Sequence, residues 1–179
     1  MNNYYAKTIL YAYPNLISLM EQIDELVEKK AFASMGNFTP AIVQCEKILD
    51  LTEQKKTLIK VKLVVDKVLQ KFSLEEIDCF AYKYFKNKPK EYFKNFDASS
   101  RGYFRKQIKL ISLFSKRLEY CGIDDDWFVK NCMTIDFFRE LYKRVLEYEK
   151  VSNRRKSVIN ENKNEKCEIL NKTKKIIVA

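Results

Sequence analysis

The chain has 179 residues, 46% hydrophobic and 32% charged, with a net charge of +10. That suits one domain with a real core and at most an appendage. Only 3 Gly and 3 Pro are present, too few for the turns of a sandwich or barrel, and the absence of His removes the commonest general base and zinc ligand.

The remaining chemistry is sparse. No run approaches the roughly 18 apolar residues of a membrane span. Met1 to Tyr13 shows no export-signal cleavage site. A cytoplasmic chain without a membrane partner is therefore expected. Its cysteines, Cys45, Cys79, Cys121, Cys132 and Cys167, form no C-x-x-C pair and read as reduced core thiols. No phosphate-binding glycine loop, nucleophile elbow or carboxylate constellation is present. The expectation is a non-enzyme with no catalytic residue, metal or cofactor.

In chain order, residues 3–12 predict a short helix. Pro14 suits the first turn of a second, whose Leu16, Leu19, Met20, Ile23, Leu26 and Val27 recur at three and four up to Ala33. Ser34, Gly36 and Asn37 break it, and Thr39-Pro40 reads as an N-cap and first-turn pair. One pattern then runs to Phe72. Ile48, Leu51, Leu58, Val65, Leu69 and Phe72 form a near-heptad stripe interrupted by Lys55 and Lys62. A stripe that long must be covered, by the preceding helix in an antiparallel hairpin or by a second chain, so the 14–72 hairpin is also a homodimer candidate.

Ser73 with Glu76 is a capping box that restarts the chain in a new helix bearing Leu74, Ile77, Phe80, Ala81, Tyr84 and Phe85 on one side. Asn87 and Pro89 end it. A short helix, Lys90 to Phe96, and a polar turn, 97–100, follow. A third helix from about Arg101 to Tyr120 ends before Gly122. Asp124, Asp125 and Asp126 suit the positive end of the next helix better than a calcium loop. Its apolar face continues to about Glu149, with a break near Thr134. Residues 151–179 lose periodicity and read as a disordered basic tail. The expected plan is all-α: a hairpin arm over 1–72, a helix-turn-helix-like three-helix unit over 73–120, a helical segment over 121–150 and the tail.

Charge is unevenly placed. Residues 83–117 hold eleven Lys and Arg against two Asp and Glu, while the segments on either side, 1–82 and 118–149, are net acidic. A lysine-rich composition alone would spread the charge; a block attracts polyanions. Within it the third helix would enter the major groove. Ser99, Ser100, Arg101, Tyr103 and Arg105 would face base edges and Lys106 and Lys109 the backbone. Lys86, Lys88, Lys90 and Lys94 would contact phosphates from the flank. Three of the seven Arg, Arg101, Arg105 and Arg117, fall here. Phe104, Ile108, Ile111 and Phe114 would face inward, onto Phe80, Tyr84, Phe93 and Phe96.

The run FSLEEIDCFAYKYFKNKPKEYFKNFDASSRGYFRKQIKLISLF resembles the helix-turn-helix of sigma-70 region 4. It resembles the small phage and Firmicute regulators of the ArpU and RinA type more than a housekeeping sigma factor. Tyr84-Phe85, Lys90 to Phe96, Ser99-Ser100 and Tyr103 to Ile108 fill the corresponding places. The resemblance spans residues 73–118, about a quarter of the chain, and no sigma region 2 accompanies it. It implies binding to double-stranded DNA and control of transcription. Two other readings stay open. The basic block would dock on an acidic protein such as an RNA polymerase subunit, or exposed Tyr and Phe rings within it would stack on single-stranded RNA.

Overall fold

The computed structural model describes residues 1–33, 40–85 and 101–151, all-α with no strand among them. The expected Lys90–Phe96 helix, the 97–100 turn, Thr39 and the tail beyond Val151 lie outside the described residues.

Helix α1 (Asn3–Ala12) is capped by the Asn2 side chain, which accepts the Tyr4 N–H at 2.9 Å. Its only charge is Lys7, so it can be buried on most sides. Ala6, Ile9, Leu10 and Ala12 are all fully buried. Pro14 sits in a 3-10 turn (Tyr13–Asn15) that leads into α2 (Leu16–Ala33).

Helix α3 (Ala41–Leu69) packs along α2 as the expected hairpin. Pro40 is the N-cap itself, so the helix begins one residue later than the Thr39-Pro40 pair predicts. Leu58, Val61, Val65 and Val68 point inward. The lysines that interrupt the stripe have partners: Lys55 Nζ lies 2.5 Å from Asp24 on α2, and Lys62 pairs with Asp66 at 2.6 Å. Asp66 also accepts the Tyr13 hydroxyl at 2.6 Å, tying the bend before α2 to α3.

Helix α4 (Leu74–Tyr84) opens on the capping box, with both Ser73–Glu76 hydrogen bonds formed. Phe80 and Tyr84 are buried as expected, but Leu74 is 82% exposed because it stands in the first turn, turned away from the core. Helix α5 (Arg101–Tyr120) ends in a Schellman motif. Ile123 N–H donates to the Leu118 carbonyl, Gly122 N–H donates to that of Glu119, and Gly122 takes a φ of +82°. Leu118 and Ile123, which clasp this turn, are fully buried.

Asp124 caps α6 (Asp125–Trp127) by accepting the Trp127 N–H at 2.7 Å, and Asp125 accepts the Asn2 N–H at 2.6 Å. The aspartates therefore serve backbone donors, as the sequence suggests. A π-helical turn (Phe128–Cys132) follows, closed by Met133 N–H on the Phe128 carbonyl. The chain breaks at 133–135, and α7 covers 136–151.

Residues Met1–Tyr142 form one compact unit, and a second begins at Lys143. The core of the first unit crosses the expected divisions at 72 and 120. Tyr5 stacks on Phe128 at 4.5 Å, Tyr11 meets Tyr84 edge-on at 4.6 Å, and Phe80 sits 5.6 Å from Phe114. The Met1 amino group pairs with Glu119 at 2.8 Å, and the Ser115 hydroxyl donates to the Met1 carbonyl.

Candidate nucleic-acid interface

Helix α5 carries the C-terminal part of the basic block, Arg101 to Arg117, and its orientation decides which residues are presented. It runs beside α4 with partners in opposite order. Tyr82 meets Tyr103 edge-on at 5.8 Å, Gln107 Nε2 donates to the Cys79 carbonyl at 2.7 Å, and Phe80 packs on Phe114. Farther along, Arg117 lays its guanidinium 4.1 Å over the Phe72 ring and donates to the Lys71 carbonyl at 3.0 Å. Arg117 is thus a clamp between α5 and the α3–α4 corner rather than part of an outward basic face.

The buried face of α5 is Tyr103, Gln107, Leu110, Ile111, Phe114 and Leu118. Compared with the expected face, the helix is turned by about one residue at its N-terminal end. Ile111 and Phe114 are inward as anticipated. Two expectations are corrected. Tyr103, assigned to base edges, is only 5% exposed, and Ile108, assigned to the core, is 66% exposed. The physical reason lies in α4, which offers the Cys79 carbonyl and the Tyr82 ring. Gln107 satisfies the first and bridges to the Tyr103 hydroxyl at 3.1 Å, so both side chains are drawn inside.

Among the predicted contact residues, Arg105 and Lys109 are exposed on the outer face. Lys106 is half-buried, with its ammonium 3.5 Å from Glu75. The side chain of Arg101, like that of Phe104, is not among those described. Ser99, Ser100, Lys86, Lys88, Lys90 and Lys94 lie outside the described residues. One further cation, Lys116, stands exposed in line with Arg105 and Lys109. Its signal was its place seven residues after Lys109, one helical line on. Among the described side chains, the outer row holds three cations, with Ile108 exposed between the first two in sequence.

Elsewhere a polar cleft of about 310 Å³ lies between α3 and the π turn, lined by Asp50, Glu53, Gln54, Thr57, Lys130, Asn131 and Thr134. It brings together carboxylates, amides, hydroxyls and one ammonium, without a nucleophile held against a base. Among the described residues, no group of three acidic or cysteine side chains has the geometry to hold a metal ion, and no helix is long and apolar enough to cross a membrane. Comparison with protein-family models, curated proteins and solved structures gives no match.

Proposed function

We propose that the chain is a non-enzymatic DNA-binding protein that regulates transcription, and that the outer face of α5 lies against duplex DNA. One observation carries the reading. The C-terminal part of the most basic block, Arg101 to Arg117, lies on a helix whose inner face is locked into the core, leaving the described side chains of Arg105, Lys109 and Lys116 in one outward row. Arg105 has the planar fork that pairs with guanine, the lysines suit phosphates, and Ile108 offers an apolar contact for a thymine methyl. The RNA reading is less favoured. Tyr84 and Tyr103 are buried, and Tyr82 and Phe85 are partly covered, so these rings offer little face for a base.

A second reading keeps one specific support. Ile108, Leu113 and Tyr120 are exposed beside the cations, at 66%, 38% and 88%, which also suits an acidic protein partner with an apolar groove.

The test is binding of the full chain, and of a variant with Arg105→Glu, Lys109→Glu and Lys116→Glu, to mixed duplex DNA across a salt series. Wild type should bind with a steep salt dependence. The variant should lose about two phosphate contacts from the slope, those of Lys109 and Lys116, while melting at the same temperature. No duplex binding at low salt, or equal binding by the variant, overturns the reading. Displacement by single-stranded RNA in preference to duplex would move it to RNA.

A further inference from the structure

Helix α3 has a second apolar row, on the side away from its buried stripe. Ile42 is 69% exposed, Leu49 63% and Leu63 63%, at multiples of seven residues, with exposed Cys45 and 39%-exposed Ile59 alongside. A seven-residue repeat keeps side chains on nearly one line of a helix. This line runs about 32 Å at 1.5 Å per residue. Lys56 fills the vacant heptad place and is ion-paired to Glu53 at 2.7 Å. Nothing among the described residues covers the row.

The charges beside the row say what can. In its first half, Glu46 and Glu53, seven residues apart, are exposed on one flank of the row, Glu53 being the partner of Lys56. In the second half, Lys60 and Lys67 continue that flank at the same seven-residue spacing, both exposed, Lys60 with its ammonium 4.3 Å over the Trp127 ring, while Lys62 and Asp66 satisfy each other. A parallel copy of this helix would set acid on acid and base on base. An antiparallel copy sets each acidic half against a basic one, over an apolar row present in both halves.

We propose that a second copy of this chain docks antiparallel, α3 against α3, about a two-fold axis near Thr52 and Glu53. A two-fold contact is self-complementary, so Ile42 meets the partner's Leu63 and Leu49 meets the partner's Lys56. The Lys56 stem covers Leu49 while its ammonium stays in water near the partner's acidic half. A lysine in an otherwise apolar heptad row is a known device for setting register. The two Cys45 thiols stand about 22 Å apart along the axis in this arrangement, and side by side in a parallel one. The inference stands apart from DNA binding, which uses α5.

The experiment is sedimentation of the full chain at micromolar concentrations, alone and as the Leu49→Glu, Leu63→Glu double variant. Both positions are exposed, so the variant keeps its helical circular dichroism, and its melting temperature falls only by what the lost association contributed. Wild type should sediment as a dimer and the variant as a monomer. Mild oxidation of Ile59→Cys, on the same flank of the row as Cys45, should then give a covalent dimer mapped by mass spectrometry to residues 45 and 59, absent from wild type. A monomeric wild type, a dimer indifferent to the double substitution, or a Cys45–Cys45 cross-link in wild type each overturns the proposal.

Discussion

Tyr103 shows how one side chain changes the reading of a helix. By its place it belongs to the turn that would face bases. Its hydroxyl instead accepts from Gln107, and its ring meets Tyr82. Burial, with smaller additions from Cys79 and Tyr82, pushes its phenol up to about 12. Burial and the hydrogen bond to Asp66 likewise push Tyr13 up to about 12. A phenol raised above its unfolded value of about 10 favours the fold while protonated. That stability is fully present below about pH 10 and is lost as pH climbs toward 12. Tyr103→Phe should cost about 0.5–1.5 kcal/mol at neutral pH, flatten the alkaline fall by one group, and leave duplex affinity unchanged. Urea titrations at pH 7 and across pH 10 to 12 check the first two, and the salt-series binding assay checks the third. A large loss of DNA affinity would return Tyr103 to the contact surface. The sequence did not reveal this because Phe104, Ile108, Ile111 and Phe114 make a credible apolar face by themselves. Only the Cys79 carbonyl across the interface selects Gln107 for burial.

At the scale of elements, the legible boundaries are those with side-chain or backbone chemistry of their own. Ser73 and Asp124 each accept the N–H of a first turn, and Gly122 supplies the positive φ that closes α5. Ser73→Ala should cost about 1 kcal/mol by freeing the Glu76 N–H. Gly122→Ala should cost about 1–2 kcal/mol although nothing lies within 4 Å of the added methyl, because the left-handed backbone itself is strained for an L side chain. Both should lower the urea midpoint without changing the slope; an unchanged midpoint would mean the cap is not formed in solution. The π turn at Phe128–Cys132 was anticipated only as a break near Thr134. One residue more per turn leaves no compositional mark. Its place is set by Phe128 and Cys132 both entering the core.

For the compact unit as a whole, the least conspicuous segment is central. Helix α1 carries little sequence signal beyond its length and single charge, yet it is wrapped by α4, α5 and the π turn, through Tyr11–Tyr84, Ser115–Met1 and Tyr5–Phe128. The thiols report on this packing. Cys45 is exposed, whereas Cys79 and Cys132 are fully buried, and burial pushes the Cys132 thiol up to about 12. Thiolates, not thiols, react with alkylating agents. Native protein should therefore label rapidly at Cys45, while Cys79 and Cys132 label only as fast as the core opens, read by peptide mass mapping over time. Cys132 labelling as fast as Cys45 would mean the π turn opens on its own.

The sequence by itself determined the all-helical class, the helix ends marked by Ser73, Asp124 and Gly122, and the location of the basic block. Each of these depends on local chemistry or on a periodicity contained in one segment. Tertiary structure alone decided which face of α5 turns outward, that Arg117 serves packing, that α1 lies inside and that α3 keeps an uncovered row. Those outcomes depend on which carbonyls, rings and carboxylates a neighbouring helix brings within reach. Residues distant in sequence meet only when the whole core closes, so no single segment encodes them.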